Sequence, residues 1–231
     1  MNETPTPPCI IRTLGMMDYD DAWDLQKNLQ RKRIAGGIPD TLLFVQHPPV
    51  YTLGRGGQFE HLLFHEQELK EKGIAFRHVD RGGDITFHGP GQLVGYFIVD
   101  LKALYPDLHR FFRDIEEILI RTLGDYGLSA SRREGITGAW VGQDKVAAIG
   151  LEVRRWVTMH GFALNVHTDL SYFEGIVPCG LSDTGVTSIE KLLGRRIELD
   201  EVMERVVVHV EEVLDRRGVW ESANVGVKGK T

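Results

Sequence analysis

The chain has 231 residues, 42% apolar and 26% charged, which is enough for a sizeable core and an ordinary globular composition. No apolar run approaches the ~20 residues that cross a bilayer, and a formal charge of −6 is wrong for a generic nucleic-acid binder, which displaces counterions with basic surface. The first eight residues carry no basic or apolar signal region, so the expectation is a cytoplasmic protein with neither membrane nor nucleic acid as partner.

Residues 1–8 read as a loose lead-in. Asp18 to Ile34 reads as a helix, with Tyr19, Ala22, Trp23 and Gln26 on one face and Gly36-Gly37 ending it. Thr41 to Gln46 and Val50 to Leu53 read as short strands on either side of Pro48-Pro49. Glu60 to Lys72 is expected as a helix closed by Gly73, followed by strands over Ile74 to Val79 and Leu93 to Leu101. Asp107 to Tyr126 has the clearest helical stripe: Leu108, Phe111, Phe112, Ile115, Leu119 and Leu123.

Four strands then crowd together: Leu128 to Arg133, Ala139 to Val141, Lys145 to Arg154 and Trp156 to Val166. Gly142-Gln143-Asp144 and Arg154-Arg155 are short links, and short links require antiparallel neighbours. A doubly wound parallel sheet is therefore excluded, and the fold class is α/β with an α+β-like mixed sheet and flanking helices. Thr187 to Glu190 fits a capping box that opens a short helix to Leu193. Asp200 to Arg217 is a last helix, and 221–231 is expected to be a loose tail. No linker marks a boundary before about Thr187, and residues 1–231 are expected to form one domain.

The segment Arg81 to Tyr96 packs five glycines and a proline into sixteen residues. A turn needs one or two. Such a run is either an irregular connector or backbone that approaches a ligand, with Arg81, Thr86, His88 and Gln92 aimed at it. The Walker pattern is missing, and no G-x-G-x-x-G follows a strand and opens a helix. Nine histidines are scattered, and His61 and His65 lack the H-E-x-x-H context, so no metal site is expected.

Cys179 stands in Val177-Pro178-Cys179-Gly180, a turn that can present a thiol. A lone cysteine also serves as a small buried hydrophobe. As a nucleophile it needs a nearby cation to lower its pKa, and His88, Lys145 and His160 are the candidates. Lys145 opens the strand Lys145 to Gly150 as either a catalytic amine or a strand-end charge. Ala147, Ala148, Gly150, Gly161 and Ala163 leave room for a slender apolar ligand or serve tight sheet packing.

Three blocks in this order, Arg81–Tyr96, Lys145–Gly150 with Met159–Asn165, and Pro178–Gly180, resemble the lipoate–protein ligase B family, the octanoyl-acyl-carrier-protein:protein N-octanoyltransferases. The resemblance runs from about Leu42 to Leu193, and the pattern R-G-G-x-x-T-aromatic-H-x-x-G-Q-x-x-x-Y is matched in full. It implies a biotin/lipoate ligase-like catalytic fold and an enzyme of lipoate biosynthesis. Cys179 would carry the acyl thioester, and Lys145 would tune its thiol. Arg81, Gly82, Gly83, Asp84, Ile85, Thr86, Phe87 and His88 would line the substrate site. Ala148, Ile149, Gly150, Gly161, Phe162 and Ala163 would complete it.

The family uses no metal and no ATP. The implied donor is octanoyl-acyl carrier protein, which brings its own phosphopantetheine. The implied acceptors are lysines of lipoyl domains of 2-oxoacid dehydrogenase complexes and of glycine cleavage protein H. The rival on the same fold is an ATP-dependent lipoate or biotin ligase. A rival of another class is a binding module for an acylated protein. Three further expectations follow. Gly82, Gly83 and Gly89 tolerate no side chain, replacing Cys9 is silent, and one or more of the pairs Arg132-Arg133, Arg154-Arg155 and Arg195-Arg196 lies near the site's mouth to dock an acidic carrier, Arg154-Arg155 foremost because it joins two strands of the acyl site.

Overall fold

A computed structural model describes residues 6–177 and 185–221. Cys179 lies outside the described residues, as does the tail from residue 222. The elements in order are β1 (Pro8–Met16), α1 (Tyr19–Ile34), β2 (Asp40–Gln46), β3 (Val50–Leu53), a 3₁₀ turn (Phe59–His61), α2 (Glu66–Glu71), β4 (Ala75–His78), β5 (Ile85–His88) and β6 (Gln92–Ile98). Then come α3 (Leu101–Leu104), α4 (Leu108–Gly124), β7 (Ala130–Arg133), β8 (Ile136–Val141), β9 (Asp144–Arg154), β10 (Val157–Asn165), a 3₁₀ turn (Leu170–Gly175), α5 (Ile189–Leu193), α6 (Leu199–Leu214) and β11 (Arg217–Trp220).

The main sheet has eight strands in the order β11-β1-β2-β6-β10-β9-β8-β7, and a small sheet has the order β4-β3-β5. β1 runs parallel to β2 and β11, while β2, β6, β10, β9, β8 and β7 are successively antiparallel. The mixed sheet with flanking helices is therefore as the short links required. Arg155 and Trp156 form the β9–β10 turn with φ of 50° and 70°. Two positive values are what a two-residue hairpin of the strand's own twist needs.

Alternation along the strands sorts the core onto two faces. Leu93 and Phe97 of β6 and Phe162 and Leu164 of β10 face α4 and α6. Val94, Tyr96 and Ile98 of β6, with Met159 and Ala163 of β10, face the side that α1 covers through Ala22 and Leu29. Phe111, Ile115, Leu119 and Leu123 of α4 are fully buried, each worth roughly 2 kcal/mol in apolar transfer. Asp107 caps that helix by accepting from the Arg110 amide at 3.0 Å. The small sheet has its own core of Tyr51, Leu53, Leu69, Ile85 and Phe87.

Four sequence expectations are corrected. Cys9, expected to be silent beside a loose lead-in, belongs to β1, which begins at Pro8, and is buried within the main core. Pairing with β2 on one side and β11 on the other makes an interior strand of residues that look like a tail. The helix expected over Glu60 to Lys72 is broken, because Leu62 bridges to Ile176 and the Glu68 carboxylate accepts from the His65 amide at 2.8 Å, restarting the helix there. The cap of α5 is Ser188, accepting from Lys191 N at 3.2 Å, one residue after the expected Thr187. The glycine-rich stretch is not all loop, since it contains β5 paired to β3.

Candidate active site

A cavity of about 570 Å³ is lined from the main sheet by residues of β6, β8, β9 and β10, and by the loops around the small sheet. Its size is ordinary for a small-molecule site. Of the residues expected from sequence, it gathers Arg81 to Thr86, His88, Lys145, Ala148 to Gly150 and Gly161 to Ala163. Phe87 is the exception. It points into the small-sheet core, stacked on Tyr172 with ring centroids 4.7 Å apart. Phe162 touches the cavity, but its ring packs on the helix side against Phe97, centroids 6.1 Å apart.

The loop before β5 is held by charge and backbone. Arg81 is buried, donating from Nη2 to the Thr52 carbonyl at 2.6 Å and to Thr52 Oγ1 at 2.8 Å. Asp84 accepts from the Ile85 amide at 2.7 Å and pairs with His61 Nδ1 at 2.6 Å. Gly83 has φ of +83°, which disfavours any side chain. Gly82 differs, because a Cβ there would meet only the Leu151 carbonyl oxygen at 3.5 Å. A Cβ at Gly89 would strike the Phe87 ring, so protein packing and not a ligand demands that glycine.

A buried aromatic and imidazole cluster forms another wall. His47 Nε2 and the Tyr96 hydroxyl are 2.7 Å apart, and Tyr19 stacks on His88 with centroids 5.7 Å apart. Burial lowers the His47 pKa to about 4 and pushes His88 well below the ordinary histidine range, which His47 and Arg81 nearby reinforce. His160, on β10, is buried with φ of +63°. Its Nε2 lies 2.7 Å from Asp80 Oδ1. Burial lowers its pKa despite that carboxylate. Burial pushes Asp80 the other way, but hydrogen bonds from His160 and Trp23 outweigh it and the net shift is down.

Lys145 is the second residue of β9, its ammonium 4.9 Å from the Trp140 ring centroid. Its amide donates to the Gly185 carbonyl at 2.9 Å, and its carbonyl accepts from the Thr187 amide at 3.0 Å. On the other side of the segment that carries Cys179, the Val177 amide donates to the His61 carbonyl at 2.8 Å. The described residues on both flanks of that segment are thus tied to cavity residues. Arg154-Arg155 is not beside Lys145, since it lies at the opposite end of β9, roughly 30 Å away along the strand.

Sequence reading missed Tyr19, Gln58, His61, Val94, Tyr96, Phe112, Gly135 to Thr137, Asn165, Phe173 and Val186 as wall residues. Tyr96 and Asn165 ended the motif blocks and could have been taken with them. Phe112 reaches the wall from α4, and Gly135 to Thr137 carry no local signal, since the pairing of β8 against β9 brings them in.

The fold is that of the lipoate and biotin ligase catalytic domains. The bipartite lipoate protein ligase of Thermoplasma acidophilum superposes with TM-score 0.71 at 17% identity, over 94% of this chain and 88% of that one. A lipoate-protein ligase A bound with ATP superposes with TM-score 0.73 at 16% identity, over 94% and 89%. Biotin protein ligase of Aquifex aeolicus gives TM-score 0.56 at 15% identity, over 89% and 70%. These likenesses speak to the fold.

The lipoyl protein ligase A/B catalytic domain matches residues 18–211. Octanoyltransferases of Solibacter usitatus and Caldicellulosiruptor saccharolyticus are 51% and 49% identical, over 90% and 87% of this chain and 93% and 86% of theirs. The chain belongs to the lipoyl protein ligase A/B family and, within it, to the octanoyltransferases, the acyltransferases that move octanoyl groups onto protein in lipoate biosynthesis. Among the described residues no helix is long and apolar enough to cross a membrane.

Proposed function

We propose that the chain, acting in the cytoplasm as one catalytic domain, takes octanoyl from octanoyl-acyl carrier protein onto Cys179. It then passes the group to a lysine of a lipoyl domain of a 2-oxoacid dehydrogenase complex, or of glycine cleavage protein H. The observation that carries this reading is the single cavity wall shared by Lys145 and the small residues Ala148, Gly150, Gly161 and Ala163. An amine on the wall of a cavity that small residues also line suits a thioester at the end of a slender apolar chain. Each buried methylene contributes about 0.8 kcal/mol.

The Lys145 ammonium favours the Cys179 thiolate. The thiolate attacks the donor thioester carbonyl, the bond to the phosphopantetheine sulfur breaks, and that sulfur takes the proton from Lys145. The acceptor lysine then attacks the acyl-enzyme as a neutral amine. Lys145 takes its proton, and Cys179 leaves as thiolate. The ammonium–thiolate pair is restored. The acyl group arrives activated, so neither ATP nor a metal has a step to perform.

Intact-mass spectrometry after mixing with octanoyl-acyl carrier protein, without nucleotide and with a chelator, tests the reading. Wild type gains one octanoyl group and Cys179→Ser gains none. An adduct on the serine variant, or a requirement for ATP, overturns the reading.

A further inference from the structure

The buried polar side chains between the small sheet and Lys145 form a chain of hydrogen bonds whose direction is fixed at two points. The Thr187 carbonyl can only accept, and it lies 3.0 Å from Asn165 Nδ2. Asn165 Oδ1 therefore faces Gln92, at 2.9 Å from Gln92 Nε2. The Phe87 carbonyl, 3.1 Å from the same Nε2, fixes the Gln92 amide independently. Gln92 Oε1 is thus turned to His88 Nδ1 at 2.9 Å, and that nitrogen must carry the proton. His88 Nε2 is left as the acceptor, 3.3 Å from Thr52 Oγ1. Thr52 Oγ1 is free to donate there because its lone pair receives Arg81 Nη2. Thr52, His88, Gln92, Asn165 and Thr187 are all buried, so water does not compete for these bonds.

We propose that His88, Gln92 and Asn165 are positioning residues of the octanoyl transfer. Their one-way chain holds Gly185–Thr187 against Lys145 and so sets where the amine stands over the cavity. This rests on the reading of Lys145 as the proton carrier. The connection is short: Thr187, which Asn165 holds by its carbonyl, gives its amide to the Lys145 carbonyl at 3.0 Å. Burial keeps His88 neutral, which the chain requires, since a doubly protonated ring would have no acceptor to offer Thr52.

Two measurements test it. Long-range proton–nitrogen NMR on the imidazole-labelled wild type reads the tautomer directly. His88 is expected neutral with its proton on Nδ1 at pH 7, and a proton on Nε2 overturns the chain. Steady-state kinetics of Gln92→Ala, Asn165→Ala and the double variant read the coupling. Each single variant is expected to lower kcat about tenfold or more, with little change in KM for the donor. The double variant is expected to lose little beyond the worse single one, because a broken chain cannot be broken again. Losses that multiply, or that appear in KM alone, would mean that the two amides meet substrate separately. The tautomer is read without turnover. Should wild type form no Cys179 adduct, the proposed reaction fails while the geometry of the chain is still judged on its own.

Discussion

Gly82 and Gly83 are adjacent, both line the cavity, and the structure assigns them different reasons for being glycine. At Gly83 a Cβ would stand 3.6 Å from Arg81 Nη1, an ordinary contact, so space is not the obstacle. The obstacle is φ of +83°, where an L side chain costs about 1–2 kcal/mol. In a chain of this size each kcal/mol moves the melting temperature by about 2–4 °C, and the narrower unfolded ensemble of alanine returns about 0.4–1 kcal/mol, so Gly83→Ala should melt up to about 6 °C lower. Gly82 has no such dihedral, and its Cβ would meet the Leu151 carbonyl oxygen at 3.5 Å. Gly82→Ala should therefore melt no lower than wild type, since alanine also narrows the unfolded ensemble by about 0.4–1 kcal/mol. Any loss of octanoyl transfer in Gly82→Ala then reports a ligand, whereas loss in Gly83→Ala mixes ligand and backbone. Circular-dichroism melts beside a transfer assay on a lipoyl domain separate the two. A Gly82→Ala protein that melts below Gly83→Ala would refute the assignment.

Two further outcomes follow from burial. Cys9→Ser should keep full transfer activity but lose about 1–3 kcal/mol of stability in urea unfolding, because it puts a hydroxyl into the core that now holds a neutral thiol. That thiol's pKa is pushed up to about 12 by burial and by Asp40, so Cys9 should also resist iodoacetamide in the folded protein. Stability should fall as pH drops. His47 titrates at about 4 when folded against an ordinary 6.5, so the unfolded chain binds the extra proton. Its contribution is complete above about pH 6.5 and is lost progressively toward pH 4, amounting to roughly 3 kcal/mol. His88, lowered in the same sense, adds to it. Unfolding midpoints at pH 8 and pH 5 measure the slope, and His47→Gln should flatten it.

The elements with a long period were legible because their pattern and their environment agree. α4 shows an unbroken stripe and buries it, and the run from β7 to β10 is punctuated by turns too short for anything but antiparallel pairing. What was not legible is pairing at a distance. β1 starts at Pro8 and carries Arg12 and Thr13 among its apolar residues, and nothing local distinguishes it from a tail. Only β2 and β11, the latter about 200 residues away, make it an interior strand. Arg154-Arg155 joins two strands that line the cavity, as read from the sequence, yet joining them says nothing of its distance from Lys145. An eleven-residue strand has two ends, and Lys145 stands at the other one.

The site was legible as blocks whose residues line the cavity with the exception of Phe87, and that exception has a physical source. A strand gives alternate side chains to opposite faces, so three consecutive residues of β10 cannot all point into one cavity. Gly161 and Ala163 share a parity, and Phe162 takes the other, ending in the core under α4 and α6. Likewise Ala148 and Gly150 stand apart from Ile149, which packs toward that same core. In β5 the hidden parity matters most. Thr86 and His88 belong to the cavity wall, whereas Phe87 closes the small-sheet core and Ile85 packs with it at the cavity's edge. With Arg81 to His88 taken as one block from the resemblance and no strand read there, no parity could be applied and Phe87 was counted in. With β5 known, the same rule removes Phe87 and sets His88 inward, where Gln92 can reach its Nδ1.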